Sequence, residues 1–324
     1  MASAQRRIAV VQAPAVAFDA VAGLAALRDY ARQAADDGCD IVVFPEAYLG
    51  GYPRGIAFGT AVGIRTPEGR DWYRRYHAGA VDIPGPVTAD LAAISAELKI
   101  FMVVGVIERA GGTLYCTVVF IDPHDGIIST RRKLMPTGTE RLVWGQGDLA
   151  QSPVVQTRFG AVGAVICWEN YMPLLRAYAY NEGVQLWCAP TADARETWEV
   201  AMRHIAVEGR CYVVSANQFT RRSDYPDDYP LDVPADTVLC DGASMIVNPT
   251  GTVLAGPERS GPAMLTADID FAQNIRGAFD FDVSGHYSRS DLFTLLVRTE
   301  RDELVQKVGR QRNTLLSDNE FRDQ

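Results

Sequence analysis

The sequence predicts an α/β fold in which sheets pack on one another with helices outside. Three observations carry this. Short runs rich in Val and Ile recur along the chain, segments with helical spacing of apolar residues separate several of them, and other runs are joined by links short enough for hairpins. The stretches Ile8 to Gln12, Asp40 to Phe44, Ile100 to Ile107, Cys116 to Ile121, Val162 to Ile166, Val184 to Ala189, Cys211 to Ala216 and Ala243 to Asn248 read as strands. Val21 to Ala35, Val87 to Leu98, Leu174 to Glu182 and Thr197 to Gly209 read as helices. Glu108 to Thr113 and Asp122 to Gly126 read as hairpin links.

Two long stretches, Gly50 to Pro86 and Thr220 to Asp241, show no regular pattern. Their aromatic residues, Tyr52, Trp72, Tyr73, Tyr76, Tyr225 and Tyr229, favour ordered loops that line a pocket or a subunit contact over disorder. From Val297 onward the chain is charged with few apolar anchors. The expected organisation is one domain over residues 1–296 and a tail over 297–324 that is surface helix, disordered or in contact with another subunit.

Composition excludes several function classes. The formal net charge is -9 and no basic patch is clustered, whereas a general nucleic-acid binder needs a basic footprint to displace phosphate counterions. No apolar stretch approaches the roughly 20 residues needed to cross a bilayer. The opening MASAQRRIAVVQAPAVAF superficially resembles a secretory signal, but Gln12 and Pro14 interrupt it and a first core strand explains it better. The six cysteines are scattered without a CxxC pair, which speaks against a zinc site or a dithiol redox centre and fits a reducing cytoplasm. His77, His124, His204 and His286 show no paired ligand spacing, so no metal is expected.

Chemistry concentrates on three short blocks. In AVGAVICWENYMPLLR, a buried strand ends just before Cys167 and a helix begins near Pro173, so the thiol sits at a strand-to-helix corner. There it is expected to feel the positive end of a helix dipole, which favours thiolate. The plainer reading of such a cysteine is a small buried hydrophobe, and Cys188 in LWCAP, without polar blocks beside it, is read that way. Glu46 follows a strand in IVVFPEAYLGGYP and projects from its carboxyl end, where open α/β sheets place their sites. Lys133 lies in RRKLMPTGTERLVWGQGD. Leu134, Met135 and Pro136 draw it into an apolar pocket while Arg131 and Arg132 are expected to stay wet, and Glu140 is a partner for it.

Taken together, these blocks resemble the nitrilase branch of the carbon-nitrogen hydrolase superfamily, and the resemblance extends over nearly the whole chain. FPEAYLGGYP, RRKLMPTGTERLVWGQGD and CWENYMPLLR are similar to the blocks that carry that family's Glu, Lys and Cys, here Glu46, Lys133 and Cys167, with Glu140 matching a second glutamate. The stretches RTPEGRDWYRRYHAGAVDIPGP, CAPTADARETWEVAMRHIAVEGRCYVVSANQF and GTVLAGP fit as well. The resemblance implies a four-layer αββα sandwich, a homo-oligomer formed as a dimer and often extended into spiral higher assemblies, no metal and no organic cofactor. It also implies hydrolysis of organic nitriles, with water, to the carboxylic acid and ammonia through a thioimidate on Cys167. A contact role between subunits is expected for His286. Tyr52, Trp144, Trp168 and Tyr171 are candidate walls of the substrate pocket.

Two rivals stand beside this reading. An amidase or N-carbamoyl hydrolase of the same superfamily would share the Glu, Lys and Cys set, but CWENYMP looks like the nitrile-hydrolysing branch. A non-catalytic binding member of the fold is the other, and intact Glu46, Lys133 and Cys167 speak against it. Among nitriles, the aromatic residues favour arylaliphatic or other bulky substrates, with aromatic and aliphatic ones next.

Overall fold

The computed structural model describes residues 5–300, so most of the tail expected over 297–324 lies outside the described residues. The principal strands, in chain order, are β1 (Gln5–Gln12), β2 (Ile41–Val43), β3 (Phe101–Ala110), β4 (Thr113–Asp122), β5 (Gly126–Arg132) and β6 (Val154–Thr157). They continue with β7 (Gly160–Ala164), β8 (Leu186–Thr191), β9 (Tyr212–Asn217), β10 (Ser244–Val247), β11 (Val253–Glu258) and β12 (Ala263–Asp270). The helices are α1 (Ala20–Asp36), α2 (Pro67–Ala78), α3 (Pro86–Leu98), α4 (Pro173–Asn181), α5 (Glu196–Gly209) and α6 (Ala272–Asp280).

The strands form two large mixed sheets. A nine-stranded sheet has the central order β5-β4-β3-β2-β1-β12, with short strands added at Val16–Ala17, Leu49–Gly50 and Val81–Asp82. A six-stranded sheet has the order β6-β7-β8-β9-β10-β11. Within them, β1–β2–β3 and β7–β8–β9 run parallel, and the flanking pairs are antiparallel. Parallel neighbours need crossovers, which helices supply, whereas β3–β4 and β4–β5 are hairpins over the links read from the sequence.

Side-chain parity shows why the layers stack. In β1, Ile8 and Val10 point into the core shared by the two sheets, whereas Ala9 and Val11 point at α1 and α3. In β8 the same alternation sends Leu186 and Cys188 between the sheets and Trp187 and Ala189 against α4 and α5. Strands buried on both faces read as continuous apolar runs, which is why the sequence displays them so clearly. Leu27 and Ala31 of α1 and Leu91 and Ile94 of α3 cover one outer face; Leu175 of α4 with Trp198 and Met202 of α5 cover the other. The result is the αββα sandwich.

Two parts of the sequence reading are corrected. The stretch Gly50 to Pro86 is not wholly irregular, because it contains α2. That helix starts with Thr66, whose hydroxyl accepts the Gly69 N–H at 3.0 Å, and with Pro67 in the first turn. Strands β6, β11 and β12 and helix α6 were also not anticipated. The aromatic residues of the two long stretches mostly pack on each other. Trp72 and Tyr229 meet edge to face at 5.6 Å, and the Tyr225 hydroxyl donates to the Tyr52 carbonyl at 2.9 Å, binding the two stretches together.

Candidate active site

Glu46, Lys133 and Cys167 come from the carboxyl-terminal ends of strands in the two sheets: Glu46 beyond β2, Lys133 beyond β5 and Cys167 beyond β7. Gly105 of β3 lets the Glu46 turn approach, since a Cβ there would lie 2.2 Å from the Pro45 carbonyl oxygen. Gln218 Nε2 donates to the Glu46 carbonyl at 2.8 Å from the opposite sheet. Lys133 continues the ladder through its N–H to the Cys116 carbonyl at 2.7 Å.

The side chains converge in a buried cluster. Glu46 and Lys133 are fully buried. Lys133 Nζ donates to Glu46 Oε1 at 2.6 Å and to Glu140 Oε2 at 2.8 Å. Glu140 is held in turn by the Tyr52 hydroxyl at 2.7 Å and the Thr137 N–H at 2.6 Å. Trp144 lies with its ring centroid 5.5 Å from Nζ, a cation–π contact that further stabilises the ammonium. Glu46 Oε2 is buried without a protein hydrogen-bond partner among the described residues, which leaves one carboxylate oxygen available to a proton.

The nucleophile's corner is strained. Cys167 has φ 49°, in the left-handed region that non-glycine residues rarely adopt, and begins a tight 3-10 turn, Cys167–Tyr171, before α4 opens on Pro173. Asn170 Nδ2 donates to the carbonyls of Val165 and Cys167, at 2.7 and 2.8 Å, and holds the corner. Thr191 donates to the sulfur at 3.3 Å.

Electrostatics corrects the thiolate expectation. Burial pushes the Cys167 thiol up, Glu46 pushes it further, and the opposing pull of Lys133 does not compensate. The surroundings therefore favour the thiol over the thiolate, and a base is needed to draw off its proton. Burial also raises the Glu46 carboxyl, against the lowering effect of Lys133. Burial is the largest influence on Lys133 and would lower it, but Glu46, the neighbouring Cys167 and Cys116, and Glu140 together outweigh it and hold the ammonium well above its ordinary range.

Cys167 and Glu140 open onto a cavity of about 660 Å³ whose walls include Tyr52, Arg54, Trp168, Asp193, Arg195 and Asp241. Of the four aromatic residues expected in the wall, Tyr52 and Trp168 line this cavity. Trp144 is instead buried beneath Lys133, and Tyr171 stands against Trp168 and Trp198 with centroids at 5.8 and 5.9 Å. Trp168 Nε1 donates to Asp193 Oδ2 at 2.8 Å, and the Arg195 guanidinium lies 4.7 Å from the Trp168 ring. Burial pushes Asp193 up, but hydrogen bonds from Arg195 and Trp168 outweigh it and hold this carboxyl below its usual range. Among the described residues, no group of three or more His, Cys, Asp or Glu side chains is placed to hold a metal ion.

Sequence reasoning missed Thr191, Asn170, Gln218 and the pair Arg131 and Glu169. Arg131, expected to stay wet, is fully buried and forms a two-pronged ion pair with Glu169 at 3.0 and 2.6 Å. The signal was present: Arg131 and Lys133 are two apart along a strand and so share a face.

The chain is 50% identical over 302 residues to an aliphatic nitrilase of Sinorhizobium fredii, covering 92% of this chain and 97% of the relative. It is 48% identical to a bifunctional nitrilase/nitrile hydratase of Nicotiana tabacum, over 90% and 86% of the two chains. An arylacetonitrilase of Trametes versicolor is 46% identical, over 90% and 96%. In fold, the chain is similar to the C. elegans NitFhit protein, with TM-score 0.71, 22% identity and coverage of 94% of this chain and 70% of that one. An amidase from Nesterenkonia sp. gives TM-score 0.62 and 23% identity, over 86% and 96%. Since residues 7–276 also match the carbon-nitrogen hydrolase family as a whole, this chain belongs to the carbon-nitrogen hydrolase family.

Proposed function

We propose that this protein is a nitrilase, hydrolysing organic nitriles to the carboxylic acid and ammonia, with Cys167 as nucleophile, Glu46 as general acid-base, Lys133 as charge-stabilising donor and Glu140 as its orienting partner. The observation that carries this is the buried Glu46–Lys133–Glu140 cluster, with the Cys167 thiol pushed up by burial and by Glu46. A protonated thiol needs a base within reach, and a carboxylate with a raised pKa and one unpartnered oxygen is a better base than a solvated one.

Glu46 takes the thiol proton as sulfur bonds to the nitrile carbon, and that proton passes to nitrogen, giving a thioimidate. Water adds to the thioimidate carbon after losing a proton to Glu46. Glu46 returns that proton to nitrogen, the hydroxyl proton follows through Glu46, and the tetrahedral species expels ammonia and leaves a thioester. A second water releases the acid and restores the thiol, so one nitrile and two waters become one acid and one ammonia. Lys133 Nζ stabilises the charge that develops on nitrogen and then oxygen, an effect typically worth roughly 10² to 10³-fold for one such donor. Tyr52 and Trp168 supply apolar wall for the substrate's organic group.

A second product is supported by the Nicotiana tabacum relative, described as a bifunctional nitrilase/nitrile hydratase. If the tetrahedral species breaks its carbon–sulfur bond instead of its carbon–nitrogen bond, the amide leaves. The test is a panel of arylaliphatic, aromatic and aliphatic nitriles scored together for acid, amide and ammonia. Ammonia from phenylacetonitrile but not from phenylacetamide supports the reading; turnover of the amide alone assigns an amidase instead.

Self-association belongs to the same proposal. Leu174 of α4 and Val200 of α5 are exposed on the outer helical layer, which supports pairing of subunits there; sedimentation velocity that finds only monomers would refute it. No helix among the described residues is long and apolar enough to cross a membrane. Six free thiols, all buried, support a cytoplasmic location, to be checked by cell fractionation.

A further inference from the structure

Lys133 and Cys167 must meet at one substrate atom, yet they follow strands in different sheets. Chain connectivity does not fix their separation. A single carboxylate spans the gap. Glu169, two residues after Cys167, accepts both Arg131 nitrogens, at 3.0 and 2.6 Å, the Leu134 N–H at 2.5 Å and the Ile166 N–H at 2.9 Å. Arg131 and Leu134 bracket Lys133, and Ile166 immediately precedes Cys167. Arg131 Nε also donates to the Ala164 carbonyl at 3.2 Å, which adds a second tie between the two blocks.

We propose that the Arg131–Glu169 pair is a cross-brace that sets the Lys133 ammonium against the Cys167 sulfur, which makes Arg131 and Glu169 positioning residues for the reaction. Neither side chain lines the substrate cavity, so their effect runs through the two groups they hold. The geometry suits that task. Both side chains are fully shielded from solvent, so no water competes for the fork, and an arginine–carboxylate fork fixes angle as well as distance. Four donors on one carboxylate also resist the relaxation of the left-handed Cys167 backbone, because the Ile166 N–H is one of them. This inference rests on the roles assigned above to Lys133 and Cys167.

The decisive variant is Glu169→Gln, with Arg131→Lys as a milder second. Each is compared with the parent at equal folded fraction by circular dichroism. The readouts are kcat and KM on phenylacetonitrile and the pH dependence of Cys167 alkylation by iodoacetamide, followed on the Cys167 peptide by mass spectrometry. A brace predicts that kcat falls by roughly 10 to 100-fold while KM stays within about twofold, as expected for misplacement of reacting groups. The alkylation midpoint should also move up, because Lys133 opposes the upward push on the thiol more than the Thr191 hydrogen bond does. A lower melting temperature with parental kcat and an unmoved alkylation profile would overturn the proposal and leave the pair as a sheet-to-sheet fastener. If Glu169→Gln does not fold, Arg131→Lys decides by the same two readouts. If the parent itself turns over no nitrile, the functional reading fails, and the alkylation profile alone still decides whether the brace sets the thiol's surroundings.

Discussion

The floor and the rim of the cavity both carry charge, and they use it differently. On the floor, Glu46, Lys133 and Glu140 have almost no contact with solvent, and Lys133 forms ion pairs with both glutamates. On the rim, Arg195 is 58% exposed beside Asp193, and Arg259 and Asp241 form a pair that is open to water on both sides. Coulombic terms are weakly screened in the first case and strongly in the second. Charge on the floor therefore shifts the protonation of its neighbours strongly, while charge on the rim is damped by solvent.

The sharpest break of this contrast is Cys167→Ala. It should abolish ammonia release by ~10⁴-fold or more while leaving the circular dichroism spectrum unchanged, since a nucleophile cannot be replaced by a methyl group. Lys133→Met comes next. Activity should fall by roughly 10² to 10³-fold. The melting temperature should fall too, because removing one partner of a buried ion pair costs about 3 to 5 kcal/mol. Glu140→Gln keeps a hydrogen-bond acceptor for Lys133 but loses its charge, so a loss in kcat of roughly 10 to 100-fold with a small change in KM is expected, measured by steady-state kinetics.

The pH profile tests the floor without mutation. Glu46 must be ionised to take the thiol proton, and burial holds its carboxyl above the ordinary range. Activity should therefore fall as pH drops through that raised value, placing the acid limb of kcat/KM above the usual carboxylate pKa, by about tenfold per pH unit. A limb at the ordinary position would remove Glu46 as the base. On the rim the effects should be smallest. Arg195→Ala should change KM a few-fold and kcat little, with the difference fading at high salt. Arg74→Ala, which breaks the exposed pair with Asp71 on α2, should leave both kinetics and melting temperature unaltered.

Legibility in the sequence follows burial. The eight Val- and Ile-rich runs and four amphipathic segments declared themselves because each is packed on both faces or along one stripe. Strand β12 did not, since AMLTADID is only partly buried and owes its place to antiparallel pairing with β1, more than 250 residues earlier. Helix α2 had a readable start in Thr66-Pro67-Glu68, masked by the glycines and prolines around it. Within the site, the blocks around Glu46, Lys133 and Cys167 marked themselves as departures from apolar runs. Arg131 and Arg132 look alike in sequence, yet Arg131 is buried against Glu169, whereas Arg132 reaches the edge and pairs with Glu108. Parity along β5 separates them, but only the facing sheet supplies the carboxylate that makes burial of Arg131 tolerable.

The sequence by itself determined the layered α/β architecture, the family blocks and the three chemically unusual side chains, because local periodicity and residue type are properties of neighbours along the chain. The tertiary structure decided the upward push of burial and Glu46 on the Cys167 thiol, the pairing of Lys133 with Glu46 and the buried Arg131–Glu169 ion pair. Those depend on desolvation and on contacts between sheets, where groups separated by dozens of residues share one buried volume and change each other's charge.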